Sequence, residues 1–431
     1  MDAARMTDNS IISIDLDAID HNMRVVRSAV GPGCEINAVV KADAYGLGAA
    51  RVARRLVQGG ASMLTVYSPA QAEALEGVPC PILVLQPVTR LERGGALHSM
   101  LLAGRLHAVV HDVHHAAELI VLAHEHQVRL PVHLEIDTGL ARGGCTLDEA
   151  GRILQANAAT PWLRLAGLMT HFSHAKGSAE RCAAQMRAFD LFVDAHRGLV
   201  PPECVTHAAS TYAAFRGGAY HAGMVRVGLA WTGLADDGPE DCARPAMCDA
   251  FRSAVRWSSQ VIHVRQVARG ASVGYGWQWT ARRDSTVGLV PVGYADGYPT
   301  IAQPPGVALP DDQERPARWV VVRVGDWTAE APVIGAVNMD QVCIDLTGLE
   351  HMLAGLPNRG LGAEVELYGT DRSARNYLPT VARRVGLRPY ELLCRMSPRV
   401  PRIAVEAGEP LARVDRGSFR VTAVRAAPDM P

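Results

Sequence analysis

Lysine is almost missing from this sequence. Of 43 lysines and arginines, only Lys41 and Lys176 carry an amine. Where a positive charge alone would serve, the chain uses arginine. A retained lysine therefore points to chemistry closed to a guanidinium: an amine can condense with a carbonyl and, when buried, act as a base. The plain alternative is a strand-end lysine with its stem on apolar surface and its head in water. Also missing is any apolar run of membrane-spanning length, and the first ten residues, MDAARMTDNS, lack the apolar core of a signal peptide. No C-x-x-C pair occurs among the nine cysteines, which predicts free thiols in a reducing compartment and excludes a disulfide framework. With a net charge of −1 there is no charge excess to attract nucleic acid or an anionic membrane. These absences predict a cytoplasmic protein.

What is present suits a soluble enzyme of two domains: 431 residues, 48% of them hydrophobic, enough for a sizeable core. A short strand is expected at about 11–16, then a helix from Asp17 to about Ala29. Apolar runs follow at 36–40, 82–85, 107–110, 132–136, 165–170, 204–207 and 225–230. Helical patterns lie between them, at 69–75, 113–124, 147–157 and 183–197. Near-continuous apolar strands alternating with helices predict a parallel sheet buried on both faces, and seven or eight such units favour an α/β fold of the closed (β/α)₈ TIM-barrel type. The domain expectation is a barrel over 17–240 and a mostly β C-terminal domain over 241–431 that also takes the N-terminal strand.

Polar residues fall just after the barrel strands, where a barrel enzyme needs them. Lys41 and Tyr45 follow one strand, Asp137 and Arg142 another, His171 a third, Ser210 and Thr211 a fourth, and Arg226 lies in the last. Beyond a loop at 235–246, β-branched, alternating segments predict strands at 259–267, 286–292, 319–324, 342–346 and 364–368. One helical passage is expected at 376–384, an exposed Pro-rich loop at 303–316 and a last strand at 419–424. His111, His114, His115, His124 and His126 read as solvated histidines on a surface helix, since no cysteine or paired carboxylate stands at ligand spacing; no metal site is expected. Gly274-Tyr-Gly is no dinucleotide fingerprint, and Gly46-Leu-Gly is a weak signal for a phosphate-binding turn.

Eight segments, in order and across both domains, resemble the alanine racemase family, whose members combine pyridoxal 5'-phosphate (PLP), a barrel and a β-domain. AVVKADAYGLG (38–48) is similar to the family's cofactor-lysine segment, with Leu47 where histidine or asparagine is usual. IDTGLARGG (136–144), GLMTHFSHA (167–175), VRVGLAWTG (225–233) and VGYG (273–276) follow. VGYADGYP (292–299), NMDQ (338–341) and PYELLCRMSPRVPR (389–402) complete the set. The resemblance covers about 11–402.

The resemblance implies an isomerase that interconverts L- and D-alanine with two bases. Lys41 would hold PLP and act on one face, and Tyr275 would act on the other from the partner subunit of a head-to-tail homodimer. Tyr45, Thr211, Gly228 and Tyr390 would hold the phosphate, with Leu229 beside them. Arg226 would face the pyridine nitrogen and His171 would back the cofactor. Arg142, Met339 and Tyr294 would line the substrate side. The expected partners are thus a small amino acid and a second copy of the chain. Two bases are needed because a single base tends to return the proton to the face it came from. A guanidinium opposite the ring nitrogen keeps its proton, which makes the ring a poorer electron sink and disfavours transamination.

Several positions depart from the family's pattern. Glu135 stands where the family often has a carbamylated lysine, and is expected to offset Arg142. Ser210 and Thr211 replace asparagine and serine. Lys176, Thr300 and Arg388 redistribute cations around the mouth, leaving open a serine racemase or one of broader range. A PLP-dependent decarboxylase of the same plan is the other alternative, but it would carry an acidic partner for the ring nitrogen where Arg226 stands.

Overall fold

The first strand, β1 (Ser10–Asp15), is taken up by a sheet built otherwise from the last third of the chain, while the helix after it, α1 (Leu16–Val30), leads into a barrel. The computed structural model describes residues 10–235, 249–300, 318–415 and 420–423. Two units result, Ala18–Arg252 and Met1–Asp17 with Ser253–Pro431. The loops expected at 235–246 (apart from Ala235) and 303–316 lie outside the described residues.

In the barrel unit eight parallel strands pair in the order β8-β7-β6-β5-β4-β3-β2-β9. They are β2 (Glu35–Val39), β3 (Met63–Val66), β4 (Ile82–Val84), β5 (Leu106–Val110), β6 (Leu130–Glu135), β7 (Leu163–Met169), β8 (Val205–His207) and β9 (Met224–Val227). Between β8 and β9 the ring is drawn together by a Ser210–Arg226 bridge, with the Arg226 N–H donating to the Ala209 carbonyl at 2.9 Å. Side chains alternate between the two faces of each strand. Met63, Leu83, Val109, Met169 and Met224 form one buried cluster, an apolar filling from five different strands.

Helices start where the sequence supplies caps. Asp112 accepts the His115 N–H at 2.8 Å at the head of Val113–His126, and Thr146 and Glu149 form a capping box at the head of Leu147–Ala158. The first of these helices buries Ala116, Leu119, Leu122 and Ala123, but also His115 and His126, so the expectation of solvated histidines there is corrected. Their Nε2 atoms lie 3.2 and 3.0 Å from the carbonyls of Val88 and Leu91. The strand at Met63–Val66 was not foreseen: only four residues long and including Thr65, it lacks a clear apolar run. Among the described residues no helix is long and apolar enough to cross a membrane.

The other unit is a ten-stranded mixed sheet in which β1 lies between β10 (Val255–Gln260), antiparallel, and a strand at Arg402–Glu406, parallel. The stretch expected as one strand at 259–267 is two. After Gln260 the chain changes partners: Val261 N–H still donates to Ala363, next to Glu364–Tyr368, whereas Ile262 N–H donates to Leu289 of a different strand, Ser285–Val290. The strand at Trp327–Ile334 went unforeseen although the Gly325-Asp326 turn before it is a hairpin signal. Trp257, Tyr298 and Tyr368 pack ring against ring in the core of this unit, with Trp257 Nε1–H donating to the Ser10 hydroxyl at 2.7 Å.

Candidate active site

Lys41 follows β2 directly, and the backbone after it turns the wrong way. Ala42, Asp43, Ala44 and Tyr45 all have φ between 53° and 59° and ψ between 35° and 50°, a left-handed turn of four non-glycine residues. Each such residue costs about 1–2 kcal/mol, more in sum than any single net hydrogen bond returns. A run of this kind persists only where its surroundings over-determine it. Here the Ala44 N–H donates to Val40, Leu47 and Gly48 N–H donate to Asp43, and the Asp43 carboxylate accepts the Ala49 N–H at 2.6 Å, heading the helix Ala49–Gln58. Lys41 is exposed, while Tyr45, four residues on, is buried.

Tyr45 stacks on Trp231 with ring centres 5.6 Å apart, and Trp231 Nε1–H donates to the Val39 carbonyl at 3.0 Å, tying the end of β2 to the segment after β9. The Tyr45 hydroxyl reaches Gly228 so closely that a Cβ there would overlap it. Thr211 Oγ1 accepts the N–H groups of Gly228 (3.2 Å) and Ala230 (3.3 Å). Two phenol and alcohol hydroxyls and the backbone around Gly228 and Leu229 thus form one cradle at the head of the short helix Leu229–Thr232. Having accepted two donors, the Thr211 hydroxyl keeps its own proton for an outside acceptor.

Arg226 is buried, and its four terminal N–H groups are spent on the protein. One terminal nitrogen lies 2.7 Å from His207 Nδ1 and 2.9 Å from its carbonyl. The other serves the Thr170 carbonyl (2.7 Å), His171 Nδ1 (3.1 Å) and the Ala208 carbonyl (3.1 Å). Nε–H is the donor left over. Burial is the main influence bringing Arg226 down to about 10, so it stays cationic at neutral pH. Burial, together with the cations Arg226, Arg142 and Lys41, pushes His171 down to about 3, so His171 is neutral, with Nδ1 accepting and the proton on Nε2.

Behind Arg226 runs a line of imidazoles that sequence reading passed over. His207 Nε2 lies 2.9 Å from His133 Nδ1, and His133 Nε2 lies 3.0 Å from His107 Nδ1. A guanidinium can only donate, so His207 must accept at Nδ1 and donate at Nε2, and the same assignment passes down the line. All three are neutral: burial holds His133 and His207 well below the ordinary value and His107 at about 4. The signal was available, since these histidines sit at the alternate, inward positions of three strands.

Arg142 is exposed in a turn shaped by Asp137, whose carboxylate accepts the N–H groups of Gly139, Leu140 and Ala141 at 2.9–3.1 Å. Glu135 does not pair with it. Its ion-pair partner is His111, at 3.2 Å, while Arg142 acts on the Glu135 carboxyl only through its charge, as one of the cations that lower it. Around the mouth, the Lys176 ammonium lies 5.2 Å from the centre of the Tyr212 ring.

The remaining named residues belong to the β unit. Tyr275 is 76% exposed and Trp277 beside it 80%. Met339 and Tyr294, both exposed, share a seam: Tyr294 N–H donates to Asn338 and Ala295 N–H to Met339, each at 3.0 Å. Arg399 clamps that seam through Asp296 and Asp340, both at 2.7 Å. Tyr390 receives a hydrogen bond on its hydroxyl from Arg388 at 3.1 Å. Thus Lys41, Tyr45, Arg142, His171, Thr211, Arg226, Gly228 and Leu229 lie in one unit, and Tyr275, Tyr294, Met339 and Tyr390 in the other.

Comparison with known proteins matches residues 14–236 to the family model "Alanine racemase, N-terminal domain" and 254–404 to "Alanine racemase, C-terminal domain". The chain is 34% identical over 402 residues to the alanine racemase of Laribacter hongkongensis, covering 92% of this chain and 98% of that one. It is 32% identical over 403 residues to that of Sorangium cellulosum, covering 90% and 97%. Among solved structures, the alanine racemase from Streptomyces coelicolor A3(2) superposes with a TM-score of 0.77 at 31% identity, covering 92% of this chain and 98% of that one. The alanine racemase from Bartonella henselae with covalently bound pyridoxal phosphate gives 0.72 at 25% identity, covering 92% and 100%.

Proposed function

The chain belongs to the alanine racemase family, and from that premise we propose that Lys41 and Tyr275 are the two bases of its reaction. It interconverts L- and D-alanine with pyridoxal 5'-phosphate as cofactor. The residues present fit that group. Tyr45, Thr211 and the backbone at Gly228 and Leu229 offer donors to a phosphate, and the family resemblance adds Tyr390 to that set. Arg226 offers Nε–H to the ring nitrogen and Lys41 an amine to the aldehyde. When bound, the cofactor supplies an electron sink for the charge left at Cα.

The protein's part is to place donors and move one proton. Lys41 Nζ takes or returns the proton on one face of Cα, and the Tyr275 oxygen does so on the other. Arg226, cationic and held by five protein acceptors, donates without giving up its proton. His171, neutral, backs the cofactor. Arg142, Met339 and Tyr294 line the substrate side. The active unit is a homodimer in which Tyr275 serves the partner's Lys41, a reading supported by the exposure of Tyr275 and Trp277. The seven described cysteines are all free thiols, which supports a cytoplasmic location, and the reaction of its relatives supports a role in supplying D-alanine.

The observation that carries this reading is the pair of spare donors at one end of the barrel. Among the described residues, the Thr211 hydroxyl proton and Arg226 Nε–H have no acceptor. The test is incubation with single L-amino acids in deuterated water. Deuterium at Cα of alanine with loss of optical rotation supports racemisation. Release of carbon dioxide, or no exchange with any amino acid, overturns it.

A further inference from the structure

Glu135 and His111 form a largely buried ion pair apart from the proposed bases and cofactor donors. Glu135 ends β6, two residues after His133, and His111 follows β5, four residues after His107, so each falls on the same inward face as a histidine of the buried line. His111 Nε2 lies 2.8 Å from the Leu85 carbonyl and Nδ1 lies 3.2 Å from Glu135 Oε2. A carbonyl and a carboxylate can only accept, so both ring nitrogens carry protons and His111 is an imidazolium. Its pair lies under the Arg142 turn. A Cβ at Gly144 would come within 2.9 Å of Glu135 Cγ, one at Gly143 within 3.5 Å of His111 Nδ1, and the Cys145 N–H donates to the Glu135 carbonyl at 2.8 Å.

The electrostatics agree with the geometry. Burial pulls His111 down, but the hydrogen bonds to Glu135 and Leu85 outweigh it and leave it above its ordinary value. Burial pushes Glu135 up, but His111, with Arg226 and Arg142, brings it below. Asp112 adds its charge to His111's side. His115, stacked on His111 at 5.7 Å, is lowered first by burial and also by the His111 charge, so only one of the two rings takes the proton.

We propose that His111 is a positioning residue for racemisation: by holding Glu135 it keeps that buried carboxylate off Arg142 and leaves the Arg142 guanidinium to the ligand. Deprived of His111, the carboxylate must find another cation. Arg226 has its terminal N–H groups committed. Arg142 makes no hydrogen bond or ion pair among the described residues, and so is the available partner. The inference rests on the reading that Arg142 lines the substrate side.

Two measurements test it. In the first, His111→Asn raises KM for alanine about tenfold or more, the scale of one hydrogen bond to a charged group, with a smaller change in kcat. Adding Glu135→Gln to that variant removes the anion and returns KM most of the way to wild type. An unchanged KM in His111→Asn, or a double variant as impaired as the single one, overturns the proposal. In the second, the His111 ring is followed by NMR against pH, its signal assigned by its loss in His111→Asn. The midpoint should lie above 6.5 in wild type and fall in Glu135→Gln; a midpoint that ignores Glu135 overturns the proposal. The NMR result does not depend on which amino acid is turned over. Failure of the racemase reading would instead appear as wild-type protein inactive on alanine.

Discussion

The Tyr45 hydroxyl occupies the space where a side chain at Gly228 would begin. Each residue therefore fixes the other, and with them the cradle proposed for the phosphate. Gly228→Ala must push Tyr45 aside, and overpacking of this kind costs about 1–3 kcal/mol. The expected outcome is cofactor affinity weaker by about tenfold or more, read by dialysis and spectrophotometric titration, with the far-ultraviolet circular dichroism unchanged.

Lys41→Ala removes both the attachment point and one base. The absorbance of protein-bound cofactor should revert to that of the free aldehyde, and racemisation should fall by about 10⁴-fold, the upper range for a lost general base. Lys41→Arg keeps the charge and should fare no better, because a guanidinium neither condenses with the aldehyde nor accepts a proton.

Tyr275→Phe separates the two bases. Cofactor absorbance should be retained, with racemisation lower by about 10²–10⁴-fold. In deuterated water the variant should still exchange the Cα proton of one enantiomer, with retention, through Lys41. A fully active variant would end the two-base assignment even with the cofactor on Lys41.

The buried histidines predict an acid limb in stability. His107 is held at about 4, first by burial and then by the Arg164 cation, against an ordinary value of 6.5. As pH falls the unfolded chain takes up that proton first. The contribution is whole above 6.5 and is lost between 6.5 and 4, at up to about 1.4 kcal/mol per pH unit for each such group. His133 and His207 act in the same direction. Urea midpoints at pH 7 and pH 5 should show the loss, and His107→Asn should flatten its slope.

Strand-end polarity made Lys41, Arg142, His171, Thr211 and Arg226 legible, because a barrel gathers whatever follows its strands, and family motifs supplied the rest. What stayed hidden depended on tertiary contacts. The left-handed turn after Lys41 is written in residues that do not advertise it: two alanines, an aspartate and a tyrosine. The imidazole line from Arg226 to His107 joins residues up to 119 positions apart and appears only when β5, β6, β8 and β9 are brought into one ring. His111 was legible as a histidine near a helix start but not as the partner of Glu135, since nothing local links positions 24 apart.

The placement of β1 between β10 and Arg402–Glu406 has a consequence for synthesis. Ser10–Asp15 leaves the ribosome ahead of both its neighbours, and its parallel one is made almost four hundred residues later. Until then one edge of the strand carries unpaired amides and carbonyls, although all eight barrel strands have already been made. Completion of the β sheet therefore waits on the synthesis of Arg402–Glu406. A nascent chain stalled shortly before Arg402 should hold a folded barrel with its leading strand still open to protease.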